Sequence, residues 1–298
     1  MVLSRGSATK GTRSFIPIVF SSMVLDILDK STVAVDCVSR DYEGEFKEGD
    51  LVTIRDFGAT SITVGDHTVD STITYGLTAE QSQDMLIDQL KYTAFRLDYV
   101  DTKQSDLDLM EGNKERAAIA LRDTIDSFLL STMAAGAPAL NTIGATTAGS
   151  VITLDAANIF AFFNDMYTLL EESNATSLGG TPFAIVPPAV MGVIRKSDQL
   201  VHATASGDAV VRNGFQGNFA QFAVKQSTNV PYNAAGTGTE PYWNILFGYK
   251  KATQFAMQIN VLEDLKLQTT FADASRMLAV YGSKVTLPNA LGRAIVKV

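Results

Sequence analysis

The chain is poor in the residues that most catalytic and metal chemistry requires. Its 298 residues include one cysteine, Cys37, and two histidines, His67 and His202. A single cysteine excludes an intrachain disulfide and any cysteine metal cluster. Cys37 reads as a small buried apolar residue. No H-x-x-x-H or H-E-x-x-H spacing is present, so no metal site is expected. A serine nucleophile needs a histidine base, and no G-x-S-x-G elbow occurs. The phosphate loop G-x-x-x-x-G-K-[ST] is also absent. The stretch Gly214-Phe215-Gln216-Gly217 lacks the third glycine of a dinucleotide site. Basic residues are in deficit: 24 Lys and Arg face 32 Asp and Glu, a formal charge of −8. A dedicated nucleic-acid binder neutralises phosphates with cations, so that class is disfavoured. No stretch approaches the roughly 18 apolar residues of a membrane span. The run 15–20 is too short for a secretory core. The chain reads as soluble and made in the cytoplasm.

What is present is enough for a large core. The hydrophobic fraction is 46% and charged residues are 19%, which excludes global disorder. The length suits one large or two modest domains.

Residues 1–14 contain Arg5, Lys10 and Arg13 and no acid. Two readings stand side by side: a flexible basic arm, or a frayed terminus with incidental charge. Residues 15–30 read as a helix, with Pro17 in its first turn and Val19, Met23, Ile27 and Leu28 on one face. Residues 50–97 look extended. Val52 and Ile54 share a side, Ile62 and Val64 repeat the pattern, and a longer run covers 85–97. The first half has too few apolar residues for a core sheet. It reads as an exposed two-stranded ribbon leading into a better-buried strand.

Ser105 or Asp106 can cap a long helix reaching about Met133. Met110, Ala117, Leu121, Ile125, Phe128 and Met133 form its apolar stripe. Glu111, Lys114, Glu115, Arg122, Asp123 and Asp126 are assigned to the opposite, polar side. Residues 136–150 are rich in Ala, Gly and Thr and mark a boundary. Beyond it come a helix over 155–172, a buried strand over 182–186, and a helix opened by Pro187-Pro188 and running to Lys196. Strands follow over 221–226 and 243–248. The tail alternates over 253–261, 265–270 and 276–286. The whole reads as α+β.

The carboxylates Asp98, Asp101, Asp106 and Asp108 lie near a helix start, where negative charge favours the helix dipole. They are not read as an acid–base pair, and no catalytic or cofactor-binding residue is assigned. A carboxylate-based enzyme stays open as a rival. The ribbon is better explained by assembly, because an exposed hairpin is a pairing liability in a monomer.

Several stretches, in order, resemble one family. They are FIPIVFSSMVLDILDKSTVAVDCVSRDYEGEF, then GDLVTIRDFGATSITV through ITYGLT to MLIDQLKYTAFRLDYVD, then ERAAIALRDTIDSFLL. GFQGNFAQFAVKQSTNVP follows, and last FGYKKATQFAMQINVLEDLKL with ADASRMLAVYGSKVTLPNALGRAIVKV. Together they resemble the tailed-phage major capsid proteins of the Hong Kong 97-type fold, which encapsulin shells share. The resemblance implies an N-terminal arm and short helix over 1–30, and an extended E-loop hairpin with flanking strands over 31–100. It further implies a spine helix over 101–145, a compact A-domain over 146–245, and closing strands over 246–298 that return to the P-domain. It implies a homo-oligomer of pentamers and hexamers in a closed icosahedral or prolate shell. The expected partners are a separate scaffolding protein, a portal, cement proteins, and packaged double-stranded DNA held without sequence-specific binding. The acidic balance suits such a container, since a lumen with few fixed cations would let the genome pack and leave without sticking. The implied location is the virion capsid, after synthesis in the host bacterial cytoplasm. The implied assembly contacts are Arg5, Lys10, Arg13, Arg40, Asp41, Glu43, Arg55, Phe57, His67 and Tyr75. An encapsulin-like compartment, filled with enzyme cargo, is the alternative.

Overall fold

The computed structural model describes residues 32–42, 51–56, 66, 69, 72, 81–104, 109–147, 149–197, 218–234 and 240–298. The basic arm, the helix over 15–30, His202, the 214–217 stretch and most of the ribbon lie outside them.

Among the described residues a 28-residue helix, α2 (Leu109–Gly136), is the longest element, preceded by a short helix α1 (Tyr99–Gln104). At about 1.5 Å per residue α2 spans roughly 42 Å. Its interior holds no proline, and Pro138 follows its last turn and cannot continue it. Ala117, Leu121, Ile125 and Met133 are buried as their spacing predicts, with Leu129 and Leu130 beside them. Phe128 is half-buried, with its ring edge-on to Tyr281 at 5.4 Å. One assignment is overturned. Asp126, placed on the polar side by its spacing, is fully buried.

Under α2 lies a three-stranded antiparallel sheet in the order β11-β12-β3. Its strands are β3 (Gln89–Asp98), β11 (Thr253–Lys266) and β12 (Ala272–Val285). Side chains alternate between its faces. Tyr281, Ala279, Met277 and Ser275 are buried on the helix side. Val280 and Ala256 point the other way and meet the base of the ribbon. That base pairs β1 (Leu51–Asp56) antiparallel with β2 (Gln81–Leu86). Ile54, Met85 and Ile87 form a small core with Ala256 and Val280, and Val52 packs against it. The shared side predicted for Val52 and Ile54 is the side that packs.

Two strand boundaries differ from the sequence reading. The single run over 85–97 is two strands, broken at Ile87-Asp88. There the chain leaves the ribbon and enters the three-stranded sheet, while its hydropathy continues unchanged. The separate strand over 265–270 does not exist. β11 runs unbroken to Lys266, and residues 267–271 turn into β12, with the Leu267 amide donating to the Ala272 carbonyl at 3.1 Å. Glu263 and Asp264 interrupted the apolar pattern without interrupting the strand. Each has a partner instead, Arg276 for Glu263 and Lys114 of α2 for Asp264.

The remaining strands build a mixed sheet in the order β4-β13-β10-β6-β8-β7, with β5 beside β13 and β9 beside β10. Here β4 is Thr142–Ile143, β5 Ile152–Thr153, β6 Phe183–Val186 and β7 Asn218–Phe219. β8 is Phe222–Gln226, β9 Tyr232–Asn233, β10 Tyr242–Gly248 and β13 Leu291–Lys297. All four residues of β6 are buried, as expected of a strand covered on both faces. Pro188 opens helix α4 (Pro188–Arg195), where its missing N–H costs nothing. Helix α3 (Ile159–Glu172) presents Phe163 to Phe219 and Phe222, with ring centroids 5.1 and 6.0 Å apart. The closing strands divide between the two sheets: β11 and β12 pair with β3, whereas β13 pairs with β10.

Candidate assembly surfaces

Among the described residues, no group of three His, Cys, Asp or Glu is placed to hold a metal ion. No helix among them is long and apolar enough to cross a membrane. The surfaces that stand out are suited to contact.

The first lies at the ribbon base. Ser39 is stitched beside β11: its amide donates to the Thr253 carbonyl at 3.0 Å, and its carbonyl accepts from the Phe255 amide at 2.9 Å. This brings Arg40 and Asp41, both exposed, next to the ribbon. The Ser39 hydroxyl donates to Asp41 Oδ2 at 2.5 Å. Asp41 and Tyr42 then line a cavity of about 330 Å³ with Ile54, Gln83, Lys251, Gln254, Thr286 and Leu287. Arg55 sits on β1 opposite Ser82. Of the ten predicted contact residues, Asp41 lines this cavity, Arg40 precedes it in the chain, and Arg55 lies on β1 of the ribbon base. Arg5, Lys10, Arg13, Glu43, Phe57, His67 and Tyr75 lie outside the described residues.

The second is the uncovered part of the three-stranded sheet, a surface the sequence reading missed. Beyond Val280 the ribbon base no longer reaches, and Val261, Leu278 and Tyr92 stand in one cross-strand row. Leu90 and Tyr92 are 66% and 79% exposed, unusual for an adjacent pair of such size on one strand face. The Glu263–Arg276 ion pair flanks the row. The alternation of Leu90 and Tyr92 with Lys91 and Thr93 was visible in the sequence. Which face the molecule covers was not.

The third feature is an internal clasp, also missed. Asp126 Oδ1 accepts the amides of Val33 at 2.8 Å and Ala34 at 2.7 Å. Its Oδ2 accepts from Asn229 Nδ2 at 3.0 Å, which also donates to Asp123 Oδ1 at 2.6 Å. The first turn of the 3-10 helix Ala34–Cys37 has no local side-chain cap, so a residue of α2 supplies one from 92 positions away. One carboxylate thus joins the segment that follows the arm, the long helix and the loop after β8.

Cys37 is buried inside this corner, and burial pushes its thiol up to about 12. The thiolate is the reactive form, so Cys37 is expected to be inert in the native protein. A thiol reagent at neutral pH should label it only after denaturation, as read by mass spectrometry. Rapid labelling of the native chain would contradict this.

No protein-family model matches the chain, and no curated protein matches it. Solved structures do. One described as Mycobacterium phage Che8 is 25% identical with a TM-score of 0.76, over 95% of this chain and 97% of the other. The capsid structure of the cyanophage P-SCSP1u is 14% identical with a TM-score of 0.69, over 95% and 93%. The capsid of Ralstonia phage GP4 is 13% identical with a TM-score of 0.68, over 98% of each chain. The match extends over nearly the whole length of each chain, and this chain has the Hong Kong 97-type fold of phage capsid proteins.

Proposed function

We propose that this chain is the major capsid protein of a tailed phage. Copies of it assemble, through pentamers and hexamers, into the shell around a double-stranded DNA genome. The observation that carries the reading is the near-complete overlap, in both directions, with phage capsid structures. A ribbon base seated on the subunit's own sheet, and a sheet face left apolar and open, support it. Such surfaces are costly in a monomer and useful in a lattice of identical copies. Each contact can be modest, because many act together once the shell closes. A separate scaffolding protein, a portal and cement proteins belong to the same proposal, as does location in the virion.

The test is to express the chain with and without its scaffolding partner and to image the product. Closed shells are the expected result; monomers or open tubes would end the proposal. Shells filled with enzyme cargo would point to an encapsulin-like compartment. A second test removes the ribbon beyond its base. Asp56 and Gln81 are direct cross-strand partners, so an Asn-Gly turn can join them in place of residues 57–80. This variant should unfold at the wild-type denaturant concentration, because Ile54 and Met85 keep their packing, yet form no closed shells. Normal shells from it would refute a role for the ribbon in assembly.

A further inference from the structure

Three segments carry the chain between α2 with its three-stranded sheet and the mixed sheet: 137–141 after α2, 249–252 before β11, and 286–290 after β12. The last two are joined by backbone bonds, which depend little on side-chain identity. The Tyr249 amide donates to the Ala290 carbonyl at 3.0 Å, and the Thr286 amide to the Ala252 carbonyl at 2.9 Å. The first is joined by side chains. Asn141 is buried, and its Nδ2 donates to the carbonyls of Asn289 at 2.8 Å and Leu291 at 3.1 Å. Both protons of one amide thus hold a segment 148 and 150 positions away. The end of α2 also needs a donor that its own turn cannot give. The Ala134 carbonyl would pair with the amide four residues on, but that residue is Pro138, which has none. Arg293 of β13 supplies the donor, with Nη1 at 3.3 Å. The last turn of α2 has no basic residue, so the guanidinium also brings positive charge to the negative end of the helix dipole. The approach is close: a Cβ on Gly136 would lie 2.4 Å from Val285 Cγ2, at the end of β12.

These ties fix the angle between α2 and the mixed sheet. With α2 a lever of roughly 42 Å, a rotation of about 5° at one end moves the other by roughly 4 Å. Side chains lose contact beyond about 4.5 Å, so a shift of that size changes which groups of neighbouring copies meet. In a closed assembly of identical copies, the angle between neighbours follows from the shape of one copy. We propose that Asn141 and Arg293 are positioning residues that set the curvature of the shell, and hence its diameter. The inference rests on the capsid reading and adds to it a determinant of shell size.

The experiment assembles shells from full-length chains and measures their diameters by electron microscopy, with circular dichroism to check that each subunit is folded. Asn141→Ala removes one tie. Arg293→Met removes the other while keeping an unbranched apolar stem, and Arg293→Lys returns a charged donor. Wild type should give shells of one diameter. Asn141→Ala and Arg293→Met should give closed shells that include a second diameter class, and Arg293→Lys should restore the single one. Should Asn141→Ala fail to fold, Arg293→Met, whose site is only half-buried, decides alone. Folded variants whose shells keep only the wild-type diameter overturn the proposal and leave the capsid reading intact. So do folded variants that form no shells, because the ties would then serve assembly as such and not its curvature. A mixture from Arg293→Lys equal to that from Arg293→Met also overturns it, since the donor to Ala134 would be irrelevant, as do wild-type shells of mixed diameter. Unfolding of both variants would assign the two side chains to the subunit's own stability and end the proposal. Failure of the wild-type chain to form closed shells overturns the capsid reading itself.

Discussion

Substitution of Asp126 by alanine is expected to lower subunit stability by about 3–5 kcal/mol, among the largest effects of any single change. Its carboxylate accepts from three donors: the amides of Val33 and Ala34, and Asn229 Nδ2. The side chain is fully inaccessible to solvent, so water does not replace it. The two amides come from a turn with no side-chain cap of its own. Asn229 is less exposed to the loss, because Asp123 remains as an acceptor. Asp126→Asn separates these contributions. One oxygen can still serve Val33 and Ala34, while the new amide meets Asn229 Nδ2 donor to donor. Its cost should fall between wild type and alanine. Urea unfolding followed by circular dichroism measures all three. An alanine variant within about 1 kcal/mol of wild type would show that the clasp relaxes without cost.

Gly282→Ala is expected to abolish shell formation while leaving most of the subunit folded. A Cβ at this position would lie 2.1 Å from the Leu86 carbonyl oxygen and 2.9 Å from Ile87 Cα. Both obstacles are backbone, so no rotamer change relieves the clash. β2 must lift from β12. The packing of Ile54, Met85 and Ile87 on Val280 and Ala256 is then lost, and with it the direction in which the ribbon leaves the subunit. The local cost is about 1–3 kcal/mol for overpacking of this kind. The larger core of α2, α3 and the mixed sheet does not touch this site and should survive. The thermal midpoint should fall modestly, and microscopy should find no closed shells. Unaltered shells from this variant would mean that the ribbon base can move freely, contrary to the close approach at Gly282.

Much of this architecture was legible in the residues. Helix α2 announced itself by its apolar stripe, and the Ala-, Gly- and Thr-rich stretch over 136–150 marked the boundary after it. Pro187-Pro188 marked the passage from β6 to α4, because proline has no amide to give a strand ladder and suits a first helical turn. Val52 and Ile54 were assigned to one side of β1, and that side is the packed one. Other features were not legible. Periodicity placed Asp126 with the charged residues of α2, since polarity alone cannot report a partner 92 positions away. Leu90 and Tyr92 alternated as a buried strand would, yet they face outward. Glu263 and Asp264 broke an apolar pattern that the backbone ladder of β11 carries through.

By itself, the sequence determined the local elements, the scarcity of histidine and cysteine, and the acidic charge, because each follows from residue type and short-range spacing. Tertiary structure alone decided which sheet face is covered, where the ribbon rests on Gly282, and which donors surround Asp126. These depend on contacts between segments far apart in the chain. Burial and hydrogen bonding act through space, and no local window of residues contains both partners.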